Sequence, residues 1–243
     1  MSTPEPSPTF SGFPPAALSF YAELEDVNSR DWWLAHKDVY ERDVREPMLA
    51  LLDALEDEFG AAKLFRPNRD VRFSADKSPY KTHQGALVGA GTVQAYYVQV
   101  SADGLRAGGG FRAEGPARTA RFRAAVDAPA SGLALEAVLA SLRDQDFDLF
   151  GEQVRTTPRG YAADHPRIET LRHKELMVVR DFGAPAWLPT GRTLTEVRDA
   201  WRAVRPLNAW LEEHVGADAM AAARAGTAFF SVTMFGVIGR KPD

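Results

Sequence analysis

The chain has 243 residues, 29 Lys and Arg against 33 Asp and Glu, a net charge of −4, no cysteine and a 45% apolar content. That composition belongs to a globule able to bury well over half of its unfolded surface, and one large domain is expected. It excludes disulfides, thiolate nucleophiles and Cys-ligated zinc or iron–sulfur clusters, and the acidic balance opposes general affinity for nucleic acid or anionic membranes.

The first dozen residues, MSTPEPSPTFSG, have neither the basic nor the apolar region of a secretory leader. Their Pro/Ser content predicts a disordered lead-in over 1–12 ahead of one domain over 13–243, with a cytoplasmic location as the default expectation. Pro14 and Pro15 suit a first helical turn, after which Leu18, Tyr21 and Leu24 share a face as far as Asn28. Ser29 can cap a second helix, with Asp31 at its positive end. Its apolar stripe runs through Trp32, His36, Tyr40, Val44, Met48, Leu51, Leu55 and Phe59, with Pro47 expected to kink or restart it. His36 reads as a satisfied core residue. Neighbouring helical positions lie about 100° apart, so one of Trp32 and Trp33 sits at the stripe's edge; packing accounts for both, and a ligand-stacking platform is the alternative.

The period then changes to two. KLFR (63–66), VRF (71–73), QAYYVQVS (94–101) and LRAGGGF (105–111) read as strands, the last two joined through Ala102, Asp103 and Gly104. Gly108 to Gly110 lack the strand-to-helix context of a phosphate loop and instead suggest close backbone approach. Helices follow from Pro116 to Val126 and from Ser131 to Arg143. Residues 153–166 are a turn-rich connector, and Pro166 opens a short helix ending near Lys174. ELMVVRDF (175–182) is a core strand, and Thr193 with Glu196 forms a capping-box pattern for a helix reaching His214, bent at Pro206. The apolar run 227–239 is too short for a membrane helix and reads as a buried strand or packed tail. Long helices with an uneven, hairpin-containing strand set predict an α+β fold whose sheet is mixed or mainly antiparallel.

Residues 66–83, RPNRDVRFSADKSPYKTH, carry three Arg, two Lys and two Asp, so with His neutral they hold +3 and the rest of the chain −7. The run Arg66, Arg69, Asp70, Arg72, Phe73, Asp76, Lys77, Tyr80 and Lys81 resembles the pattern R-x-x-R-D-x-R-F-x-x-D-K-x-x-Y-K of the DUF2461 family, a set of bacterial and fungal proteins of unassigned function. Phe10 to Phe13, Asn28 to Trp33, the Tyr96-Tyr97 strand, Gly108 to Gly110, Pro158 to Tyr161, Asp164 to Pro166 and His173-Lys174 are similar to that family in the same order, over about residues 10–214. The resemblance implies a shared fold and site; it supplies no substrate, cofactor or catalytic residue.

Three readings of the basic segment stand side by side. If 69–73 is extended, Arg69 falls on one face and Arg72 on the other, so one is buried against a carboxylate or the segment is partly loop. In the first reading Arg69, Asp70, Arg72 and Asp76 form an ion-pair network with acidic residues of the long helices. In the second, Arg66, Arg72, Lys77 and Lys81 converge on a small anionic, phosphorylated ligand, Tyr80 stacks on its base or sugar, and a second cluster of Arg159, His165, Arg167, His173 and Lys174 folds against the first. In the third, Asp70, Asp76 or His165 serves a metal-assisted hydrolase or a phosphoryl-transfer enzyme. His165, just before Pro166, also suits a hydrogen-bonding role at a helix start. No residue pattern specifies a cofactor or an oligomeric state.

Overall fold

The computed structural model describes residues 9–70, 72, 76–89, 95–112 and 115–216. Its order is α1 (Pro15–Asp26), α2 (Arg30–Ala35), α3 (Lys37–Val39), a π-helical turn (Tyr40–Arg45), α4 (Glu46–Phe59), β1 (Ala62–Leu64), β2 (His83–Val88), β3 (Ala95–Ser101), β4 (Gly104–Arg112), α5 (Pro116–Asp127), α6 (Pro129–Arg143), β5 (Phe147–Phe150), α7 (Ile168–Leu171), β6 (Glu175–Gly183) and α8 (Arg192–Val215). The strands form one sheet in the order β1-β2-β3-β4-β6-β5, antiparallel at every pairing. This is the expected α+β fold, with the antiparallel alternative realised.

The helices gather on one face. Ala86, Val88, Val98, Val100, Ala107, Phe111, Leu176 and Val178 alternate onto it and share a core with Leu24, Leu51, Phe122, Leu139, Trp201 and Leu211 from five helices. Gly109 lets α8 approach: a Cβ there would lie 2.9 Å from Val204 Cγ1 and collide with the Ala95 carbonyl, which is the close approach expected of the triple glycine. Trp201 fixes the crossing by donating from Nε1 to the Tyr97 carbonyl at 2.9 Å.

Ser29 caps α2 by accepting from the Trp32 amide at 3.2 Å. The long stripe breaks at His36, whose ring stacks on Trp32 at 4.0 Å and donates to the Trp32 carbonyl at 2.7 Å. Pro47 neither ends nor restarts the helix alone: the wide π turn before it takes up the missing amide and the ring's clash with the preceding turn. The capping box does not form. Thr193 lies inside the first turn of α8 and donates to the Leu188 carbonyl at 2.9 Å, while the preceding Thr190 hydroxyl accepts from the Arg192 amide at 3.3 Å. Within the expected lead-in, Phe10 is already buried and the Phe13 amide donates to Leu188; residues 1–8 lie outside the described residues, as do Val71, Phe73 and the run 227–239. Of the strand expected at 71–73 only Arg72 is among the described residues, and it occupies a bend; β5, which no pattern announced, completes the sheet edge.

Candidate functional site

Between β1 and β2 the chain makes an excursion, residues 65–82, that rejoins the sheet as a narrow ladder. Asn68 bridges Tyr80, the Arg69 amide donates to the Pro79 carbonyl, and the Lys81 amide donates to the Pro67 carbonyl, both at 2.9 Å. Asn28 clamps this ladder from the helical side, donating to the Tyr80 carbonyl at 3.0 Å and accepting from its amide at 3.1 Å. Trp33 lies flat on the Tyr80 ring, 4.2 Å between centroids and 9° between planes. Tyr80 is therefore buried as an anchor, which corrects its expected role as a stacking platform for a ligand.

That anchor fixes the faces. Tyr80 turns toward Trp33, and Gln84 turns toward Tyr40, whose hydroxyl donates to Gln84 Oε1 at 2.7 Å. Alternation then turns Lys81, His83 and Gly85 to the opposite side, away from the helices. Arg69 is two residues along the ladder from Pro67, the partner of Lys81, so it shares that side. Register adds the neighbours: His83 stands opposite Ser101, Gly85 opposite Gln99, Gln99 opposite Arg106, and Arg106 opposite Asp181. Tyr97 reaches over the space that Gly85 leaves, its hydroxyl 2.8 Å from where a Cβ there would be, and donates to Gln99 Oε1 at 2.7 Å.

The result is a cationic cluster on the far face of the sheet. Arg106 pairs with Asp181 at 2.8 Å and reaches Asp103 at 3.7 Å. Arg69 pairs with Asp76, yet its Nε–H is buried with no acceptor among the described residues. Lys81 is 6% exposed and donates to the Arg66 carbonyl; no carboxylate stands within ion-pair distance of it among the described residues. Burial first, and then the Arg66 and Arg69 charges, lower its pKa to about 8. His83 is lowered to about 4 by burial and by the charges of Lys81, Arg69 and Arg106, so it is neutral at pH 7. Buried polar groups are normally satisfied and buried charges normally paired; here a donor and an ammonium are left over together.

Around this core the other predicted residues are tied within the loop. Arg72 makes a two-pronged pair with Asp70, at 3.0 and 2.6 Å, and its hydrogen bonds hold the Asp70 pKa down at about 2. Asp76 accepts from the Ser78 amide and hydroxyl at 2.8 and 2.6 Å, which, with Arg69 nearby, lowers its pKa. Both pairs are formed inside the excursion and not with the long helices. Arg66 and Lys77 are exposed at its rim.

The second basic cluster does not meet the first. Lys174 precedes the first residue of β6, whereas Asp181, the Arg106 partner, lies toward its other end, about 23 Å along the strand at 3.3 Å per residue. Lys174 pairs with Glu152. His165 donates to Asp127 at 3.0 Å and accepts from the Arg167 amide at 3.0 Å, the helix-start role. His173 is buried between Gln153 and the Glu175 carbonyl, and burial lowers its pKa. Arg159 is exposed on the connector. Asp70, Asp76 and His165 therefore do not converge, and among the described residues no group of three or more His, Asp or Glu is placed to hold a metal ion.

His83, Tyr97, Gln99, Ser101 and Arg106 were not among the residues singled out in the sequence. The signal was present in QVS, where Gln99 and Ser101 are polar on the parity opposite Val98 and Val100. A strand with apolar residues on one parity and buried polar ones on the other faces a core on one side and a site on the other.

These features define a single-domain α+β protein with a clamped basic excursion on the sheet face turned away from its helices. The chain belongs to the family described as Conserved hypothetical protein (DUF2461), whose model matches residues 16–210. No curated protein matches it.

Proposed function

We propose that the chain binds a small anionic, phosphorylated ligand on the far face of the sheet, against Lys81, His83, Arg69 and Arg106, with Arg66, Arg72 and Lys77 at the rim. The observation that carries this reading is the Lys81 ammonium, buried against a backbone carbonyl with no carboxylate partner among the described residues. Keeping such a charge costs several kcal/mol unless it is compensated, and a pKa displaced from 10.5 to about 8 corresponds to about 3 kcal/mol against the charged form. An incoming phosphate supplies the missing negative charge and an acceptor for the Arg69 Nε–H. The ion-pair reading accounts for Asp70 with Arg72, but not for Lys81.

The test is thermal unfolding at pH 7 with increasing phosphate at constant ionic strength. Wild type should gain melting temperature by mass action. Lys81→Met, which keeps the stem and removes the charge, should melt higher than wild type without phosphate and gain little from it. No phosphate response in wild type at millimolar concentration overturns the proposal.

A further inference from the structure

We infer that Lys81 is a nucleophilic amine that condenses with the carbonyl carbon of a small anionic aldehyde or 2-oxo acid, so that the site takes a ligand in covalent as well as ionic form. This deepens the proposed function and rests on it.

The geometry isolates this amine from the others in the chain. Its stem is held where β2 begins, because the Lys81 amide is fixed to Pro67 and the neighbouring Tyr80 is stacked on Trp33 and clamped by Asn28. Its head lies against a neutral carbonyl, the Arg66 carbonyl, which is its only acceptor among the described residues. Burial first, and then the Arg66 and Arg69 guanidiniums, bear on its charge, and no carboxylate among the described residues pairs with it. Desolvation and adjacent cations are the means by which a lysine amine is activated as a nucleophile, and both lower this one to about 8. Lys174, by contrast, has its head group held by the Glu152 carboxylate.

The chemistry closes with groups on the page. Neutral Nζ attacks the carbonyl carbon, the C–N bond forms, and a proton passes from nitrogen to the former carbonyl oxygen to give a carbinolamine. Loss of that oxygen as water leaves an imine, so one carbonyl compound and one amine become one imine and one water. His83, on the same face two residues along and kept neutral by burial and then by the charges of Lys81, Arg69 and Arg106, is the proton carrier for both transfers. Arg69 and Arg106 provide the charge that holds the ligand's carboxylate or phosphate.

The experiment is reductive trapping of the full chain with glyoxylate and sodium cyanoborohydride, read by peptide mass mapping. Lys37, Lys63, Lys77, Lys174 and Lys241 serve as internal controls. At pH 7 the carboxymethyl adduct should form at Lys81 at least several-fold faster than at any control lysine, and the Lys81 rate should level off above pH 8 while the control rates keep rising. Arg69→Met should slow Lys81 at pH 7 and leave the controls unchanged. Modification of Lys81 no faster than of the controls, in a protein whose melting temperature still rises with phosphate, overturns the imine and leaves the anion site standing. Loss of both responses overturns both.

Discussion

The two basic segments have similar composition and opposite fates. Around Arg167, the cations that are not exposed are spent on the fold: the Arg167 guanidinium donates to the last carbonyls of α5, Val126 at 2.6 Å and Asp127 at 2.9 Å, and its flank fills the space over Gly132, where a Cβ would collide with it. Arg172 is paired with Glu169 and Lys174 with Glu152, although the Arg172 Nε–H, like that of Arg69, meets no acceptor among the described residues. Around Lys81 the scaffold is made of uncharged contacts, an asparagine clamp and an aromatic stack. The charges there are left with less compensation than their burial calls for. A count of lysines and arginines does not separate these cases; what separates them is whether each head group meets an acceptor that neutralises it.

The largest expected effect comes from detaching the excursion. Trp33→Ala removes a buried ring from both the α1–α4 core and the Tyr80 stack and should cost about 3–5 kcal/mol. If the excursion positions the site, the phosphate-induced rise in melting temperature should shrink with it, whereas Trp33→Phe, which retains a ring, should preserve much of both. A full phosphate response in a folded Trp33→Ala protein would move the site away from residues 65–82.

Next in size is the pH dependence that Lys81 contributes. Below pH 8 its amine is protonated both folded and unfolded, and the full cost of the buried charge is present. Between pH 8 and 10.5 the folded chain releases the proton first, so the unfolded chain binds more protons and stability rises with pH. The gain is complete above 10.5 and amounts to at most about 3 kcal/mol. His83, lowered to about 4 by burial first, stays neutral throughout this window. Denaturant midpoints of wild type and Lys81→Met across pH 7–11 should converge as pH rises, since Lys81→Met lacks the penalty from the start. Parallel curves would show the ammonium to be compensated, and the contrast between the two clusters would collapse.

Much of the fold was legible because it follows from short-range rules: the Ser29 cap, the turn at Ala102 and Asp103, the glycine approach beneath α8 and the antiparallel sheet all come from local pattern. The site was only half legible. Lys81 stood in the basic run, but its companions Gln99 and Arg106 are brought to it by strand register, which pairs residues as far apart as Arg106 and Asp181, 75 positions along the chain. Tyr80 was misread for the same reason, since its stacking partner Trp33 comes from a helix that hydrophobic period alone does not orient. The expected union of the two clusters failed because both flank strands of one sheet, at opposite ends.

Arg167→Ala sharpens the comparison from the other side. It removes charge-assisted bonds to two helix-end carbonyls and opens a void over Gly132. The expected loss is about 2 kcal/mol, since carbonyls deprived of a charged donor at a partly buried corner recover only some of their bonding from water. The distant Glu136, 3.8 Å from the guanidinium and half exposed, should add little to this. Because Arg167 serves the α5–α6 corner, the phosphate response and the reactivity of Lys81 should be unchanged in this variant. Chemical denaturation, phosphate titration and reductive trapping on the same preparation separate the outcomes. Lost stability with intact ligand responses keeps the second cluster structural, whereas a lost phosphate response in the folded protein would mean that the two ends of the sheet work as one site.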